Sequence, residues 1–135
     1  GSLSIVACLL GAKSATAMDI DKNAVDIALR NAELNGVMTD KYKAVAGNIL
    51  EDEALRKEFA SKKYDIVAAN IVADVIIGIS PFAADFVKED GIFIASGIIT
   101  DRLSEVLGHI EKNFEIIKIC DKNDWASIIA RPLKK

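Results

Sequence analysis

Acidic and amide side chains stand where several apolar runs of this chain end, and these positions are its best candidates for chemistry. Asp19 and Asp21 close the run SATAM as Asp19-Ile20-Asp21. A carboxylate so placed can accept two hydrogen bonds from a ribose diol, or it can cap a following helix. Both roles fit, with Asp19 on the diol, Ile20 beside it, and Asp21 as the cap. Asn48 follows Gly47 after the run YKAVA. Its amide suits the edge of an adenine ring and equally suits a turn, and Ile49 offers apolar contact to a ring face. Asn70 ends the almost wholly apolar run YDIVAAN. A carboxamide there needs hydrogen-bond partners. It suits a helix cap, or a reacting centre where it accepts from a substrate amine and aims the nitrogen lone pair at an electrophile. Gly1-Ser2 is the remaining candidate. Gly97 fits either a tight turn or a space left open for substrate, Trp125 fits core or edge packing, and His109 fits an exposed helix face.

Those residues require a particular scaffold. Helical and strand patterns alternate along the chain without repeats or low-complexity linkers. Ser4 to Leu10 reads as a short apolar helix stopped by Gly11. Ser14 to Ile20 reads as a strand, and residues 22–35 as a helix with Val25, Ala28, Leu29 and Ala32 on one face. Tyr42 to Ala46 follows as a strand and Glu51 to Ser61 as a charged helix. Tyr64 to Asn70 is a strand covered on both faces. Val72 to Ile79 is helical, and a new helix is expected to restart at Ser80-Pro81, with Ser80 as its cap. Lys88-Glu89-Asp90-Gly91 reads as a turn and Ile92 to Ser96 as a buried strand. Leu103, Val106, Leu107 and Ile110 form the stripe of a helix capped near Thr100. Glu115 to Cys120 and Trp125 to Arg131 are strands joined by a short polar loop, hence an antiparallel hairpin. Such alternation predicts an α/β fold with a mostly parallel sheet and helices on both faces. In open sheets of this kind ligands lie at the carboxyl ends of the strands, where Asp19, Asn48 and Asn70 all fall.

Composition narrows the classes further. The 135 residues are 51% hydrophobic and 27% charged with a net charge of -3, ordinary for one globular domain. No basic block supports broad electrostatic binding of nucleic acid. Cys8 and Cys120 form no CxxC and the chain has a single histidine, so reduced thiols are expected, with neither a disulfide scaffold nor a metal site. The apolar stretches are too short to span a bilayer, and a cytoplasmic location is expected.

The run GSLSIVACLLGAKSATAMDIDKNAVDIALRNAELNGV, with YDIVAANIVADV, IFIASGI and DWASIIARP, resembles the catalytic domain of the ribosomal large-subunit protein L-eleven methyltransferases. The resemblance covers nearly the whole chain. Its most specific parts are Asp19-Ile20-Asp21, Ala69-Asn70-Ile71 and Ser96-Gly97-Ile98. It implies a Rossmann-like class I S-adenosylmethionine-dependent methyltransferase fold. It also implies methyl transfer from S-adenosylmethionine to lysine side chains and the N-terminal amine of a ribosomal protein. By the same resemblance Gly1 matches the last glycine of the cofactor loop, Asp19 the ribose acid, and Asn48 a position beside the adenine. Asn70 matches an asparagine near the reacting amine.

The family pattern also has a strand and a glycine-rich loop ahead of Gly1, and a small substrate-recognition domain before those. Residues 1–135 are therefore expected to be one N-terminally truncated cofactor-binding domain, with a gap in its sheet where that strand belongs. Related enzymes acting on RNA or glutamine carry Asn-Pro-Pro-Tyr where this chain has Asn70-Ile71-Val72-Ala73, a poor match. A nicotinamide-dependent oxidoreductase would share the strand-end acid, but the terminal hairpin and the lack of a Tyr/Lys or His catalytic set argue against it. A non-enzymatic binding module is the third alternative.

Overall fold

In this computed structural model the described residues are 15–19, 42–46, 52–70 and 72–133, with residues 15–19 and 42–46, Asn70 and Lys122 placed by backbone. The helices expected at 4–10 and 22–35 lie outside them. Six strands are described: β1 (Ala15–Asp19), β2 (Tyr42–Ala46), β3 (Tyr64–Asn70), β4 (Val87–Ile99), β5 (Phe114–Lys122) and β6 (Trp125–Pro132). They form one sheet in the order β2-β1-β3-β4-β6-β5. The pairings of β1 with β2, β1 with β3, and β3 with β4 are parallel. Those of β4 with β6 and β5 with β6 are antiparallel. The parallel character is thus confined to one half, although β6 alone runs against the other described strands.

No gap separates the described strands. β1 pairs directly with β3 through five consecutive register partners, from Ala15↔Ile66 to Asp19↔Asn70. Two neighbouring ladders left open would strand backbone donors and acceptors on both sides, so direct pairing is the satisfied arrangement.

Among the described residues three α-helices lie between strands: α1 (Glu53–Lys62), α2 (Ala73–Phe86) and α3 (Leu103–Ile110). They lie side by side, with α2 touching α1, α3 and β4. The α1 start is fixed by Asp52, whose Oδ1 accepts from the Leu55 amide at 2.9 Å. Phe59 is the fully buried side chain of α1 and meets Tyr64 and Phe86 edge to face, with ring centroids 5.6 and 5.7 Å away. Beneath the helices the sheet presents two cross-strand rows without exposed surface, Val67–Phe93–Ala130 and Ala69–Ala95–Ile128. The opposite face is less completely covered among the described residues. Ile66 and Ile94 are buried there, but Ala68, Ile92 and Ile129 are only half-buried. The α3 stripe behaves as its spacing predicts, Val106 and Ile110 buried with Leu103 and Leu107 packed against the core.

Two expected breaks are absent. No new helix starts at Ser80: α2 runs through Pro81 as one helix, and Ser80 is buried rather than capping. Proline at 81 removes the amide that would bond the Ile77 carbonyl. The Ser80 hydroxyl donates to that same carbonyl at 2.9 Å and so replaces the lost bond. The segment Lys88 to Gly91 is likewise no turn ahead of the strand. β4 continues through it as a wide irregularity, moving from Val87 to Ile92 while β3 moves only from Tyr64 to Ile66. The terminal hairpin forms as expected, with a loop of Asn123-Asp124 between the paired Lys122 and Trp125. Asn123 takes φ 58 there, a left-handed conformation that asparagine tolerates.

Candidate functional site

The carboxyl ends of the parallel strands come into one row. Ala46 of β2 pairs with Asp19 of β1, Asp19 with Asn70 of β3, and Asn70 with Ser96 of β4. Adjacent strands lie about 4.8 Å apart, so Asp19 and Asn70 occupy neighbouring places along the edge. The two residues singled out for a ribose and for an amine are one register step from each other. Asn70 is the last strand residue of β3, and the N-cap position of α2 is Val72, two residues further on. Gly1, Ile20, Asn48 and Ile49, like Asp21, lie outside the described residues.

β4 does not end beside Asn70. It continues to Ile99 across a bulge, passing from Ala95 to Ile98 while β6 passes from Ile128 to Ala126. Gly97 sits in that bulge with φ 80, a conformation open to glycine and strained for other residues. It is thus a bulge glycine within β4 rather than a turn that ends the strand. The bulge lets β4 leave the Asn70–Ser96 row and pair Ile99 with Trp125. Trp125 is neither core nor sheet edge: its side chain is 57% exposed, opposite Ile99 at 47%. Val72, just past the end of β3, is 51% exposed, so apolar side chains flank this edge of the sheet. His109 is half-buried rather than exposed.

Behind the row, Arg102 ties together the segments that follow β3 and β4. It closes the 3-10 turn Thr100–Arg102 between β4 and α3. One guanidinium nitrogen donates to Asp74 Oδ1 in the first turn of α2, and Nε donates to Glu105 Oε1, both at 2.6 Å. These short charge-assisted bonds, the one to Glu105 first, push the Arg102 pKa further above its ordinary value. Next to it the Thr100 amide donates to the Asp124 carbonyl at 3.0 Å, fastening the hairpin loop to the same corner. No sequence pattern announces a pairing between residues 74 and 102. The only available hint is that each lies a few residues beyond the end of one of two adjacent strands.

Cavities of about 650 and 890 Å3 lie elsewhere, one lined by Lys63, Asp85 and Asn113, the other by Gly91, Glu115 and Arg131. They sit where β3 begins and β6 ends, away from the strand-end row. Among the described residues no group of three or more His, Cys, Asp or Glu side chains is arranged to hold a metal ion. No described helix is long and apolar enough to cross a membrane.

The mixed α/β sheet with an antiparallel hairpin at one side is the fold of class I S-adenosylmethionine-dependent methyltransferases. The crystal structure of a TehB-like S-adenosylmethionine-dependent methyltransferase from Corynebacterium glutamicum superposes with a TM-score of 0.61 at 9% identity, over 96% of this chain and 85% of that one. A ribosomal protein L11 methylase from Lactobacillus delbrueckii subsp. bulgaricus superposes with a TM-score of 0.72 at 29% identity, over 98% of this chain and 65% of that one. Residues 1–132 match the profile of the ribosomal protein L11 methyltransferase (PrmA) family, and the chain belongs to that family. It is 46% identical to the ribosomal protein L11 methyltransferase of Acetivibrio thermocellus over 98% of its length, and 41% identical to that of Thermoanaerobacter pseudethanolicus over 97%. In both cases the match spans 40% of the relative's own length.

Proposed function

We propose that this chain is the cofactor-binding part of an S-adenosylmethionine-dependent protein N-methyltransferase. Its substrates are amino groups of a ribosomal large-subunit protein, on lysine side chains and at the N-terminus, and its work is done in the cytoplasm. The observation that carries this reading is that Asp19 and Asn70 each end a parallel strand at the same carboxyl edge of the sheet. The names of the family and its relatives give the reading its substrate.

The residues present fit the cofactor. A carboxylate at the end of β1 suits a ribose diol, and the end of β3 offers an amide at the same edge of the sheet. Asp19 would accept from the two ribose hydroxyls, Ile20, Asn48 and Ile49 would flank the nucleoside, and Gly1 would stand as the last glycine of the cofactor loop. When bound, S-adenosylmethionine supplies a methyl group on a positively charged sulfur. The remaining task is alignment, because an in-line displacement needs a free amine lone pair held behind the methyl carbon. Asn70 meets that need by accepting from the amine's N–H. Bound there, S-adenosylmethionine would supply the methyl carbon and keep the carbon–sulfur electron pair on its sulfur, while Asn70 would orient the amine and the amine's excess proton would pass to water.

The test is transfer of labelled methyl from S-adenosylmethionine to ribosomal protein L11 by the intact protein, wild type beside Asn70→Ala. Loss of the aligning amide is expected to lower kcat by on the order of a hundredfold with little change in cofactor KM. Equal turnover by the two proteins, or labelling of RNA in place of protein, would contradict the proposal.

A further inference from the structure

We infer that Arg102 is a positioning residue for methyl transfer, acting through Asp74 to hold the end of β3, and with it Asn70, against β4. The inference rests on the proposed role of Asn70. Three observations carry it. Asp74 lies four residues after Asn70 in the first turn of α2, and Arg102 lies in the turn that follows β4. Asn70 and Ser96 are register partners, so the bond from Arg102 to Asp74 crosses between the same two strands just beyond the site. Finally, α2 begins at Val72 with no side-chain capping bond, so its first turn lacks the usual local anchor.

An isolated surface ion pair contributes little to stability, and this one is not expected to matter much there. Its geometry suits alignment instead. The planar guanidinium spans two carboxylates from different helices, which a point-charge ammonium cannot do with the same geometry. Because Thr100 also holds the Asp124 carbonyl, the turn carrying Arg102 is itself fixed to the hairpin. Arg102 therefore transmits the position of a braced corner to the short connection between Asn70 and α2. Displacement of an aligning group by about 1 Å is enough to slow a positioned reaction by on the order of a hundredfold.

The experiment is a double-mutant cycle in the intact protein with Arg102→Ala, Asp74→Ala and the double variant. Arg102→Lys is added, and kcat, cofactor KM and melting temperature are all read. Each single variant is expected to lose on the order of ten- to hundredfold in kcat. Cofactor KM should stay within about twofold, because Asp19 is untouched, and melting should shift by only a few degrees. The double variant should be no slower than the worse single one, since both remove the same bond. Arg102→Lys should fall between wild type and Arg102→Ala. Multiplying losses in the double variant, or an unchanged kcat in Arg102→Ala beside an active wild type, would overturn the Arg102 role alone. A wild-type protein that transfers no methyl group would overturn the function proposed for Asn70, and this inference with it.

Discussion

Tyr64 carries the clearest single-residue liability among the described residues. Its side chain is buried, and its hydroxyl has no hydrogen-bond partner. A buried polar group left unpaired costs about 1–3 kcal/mol. Tyr64→Phe is therefore expected to stabilise the protein, by about 1 kcal/mol in urea denaturation, since the ring contact with Phe59 remains. Burial, and secondarily the charge of Glu58, raises the Tyr64 pKa above the ordinary tyrosine value. A raised folded-state pKa means that the unfolded chain ionises first as pH rises past about 10. Wild-type stability should accordingly fall above that pH, and Tyr64→Phe should flatten the fall. A destabilised variant with the same alkaline slope would contradict this account. At this scale the sequence is informative about types and less so about partners. An acid and an amide at the ends of apolar runs identify Asp19 and Asn70 as candidates, because strand ends are where ligands bind in such sheets. Arg102 and Asp74 are invisible in the same way that any pairing across 28 residues is, since nothing local encodes it.

Elements were legible where their pattern was local and uninterrupted. The strands Tyr42–Ala46 and Tyr64–Asn70 coincide with their apolar runs, and α3 follows its heptad-like stripe. Reading failed where a local breaker was absorbed by its surroundings. Pro81 interrupts no helix because Ser80 takes over the Ile77 carbonyl. Gly91 punctuates no strand because it packs against the neighbouring β3, where an added Cβ would stand 2.7 Å from the Asp65 carbonyl oxygen. Gly97 is the breaker nearest the site. Alanine there must adopt φ near 80, at a cost of about 1–2 kcal/mol. Gly97→Ala should lose about that much in chemical denaturation, and methyl transfer should slow as the β4 bulge beside Asn70 shifts. A variant as stable and as active as wild type would show that the bulge needs no glycine.

At the scale of the whole molecule, alternating patterns led to an α/β sheet with a terminal hairpin because chain connectivity permits few alternatives. They did not reveal that β6 would insert between β4 and β5, leaving β5 outermost on its side of the described sheet. Nor did they foresee that β1 would pair with β3 without a gap, since backbone hydrogen bonding acts between any adjacent strands whatever their side chains. The cofactor-binding claim needs only that Asp19 ends β1 and Asn70 ends β3 at the same carboxyl edge of the parallel strands. The most direct test is calorimetric titration of the intact protein with S-adenosylhomocysteine, wild type beside Asp19→Ala, with NADH as the control ligand. Wild type is expected to bind S-adenosylhomocysteine, NADH not to bind, and Asp19→Ala to show at least a tenfold weaker Kd, about 1.4 kcal/mol for the lost hydrogen bonds to the diol. Wild-type binding that the substitution leaves unchanged, or NADH binding as tight as that of S-adenosylhomocysteine, would contradict the claim.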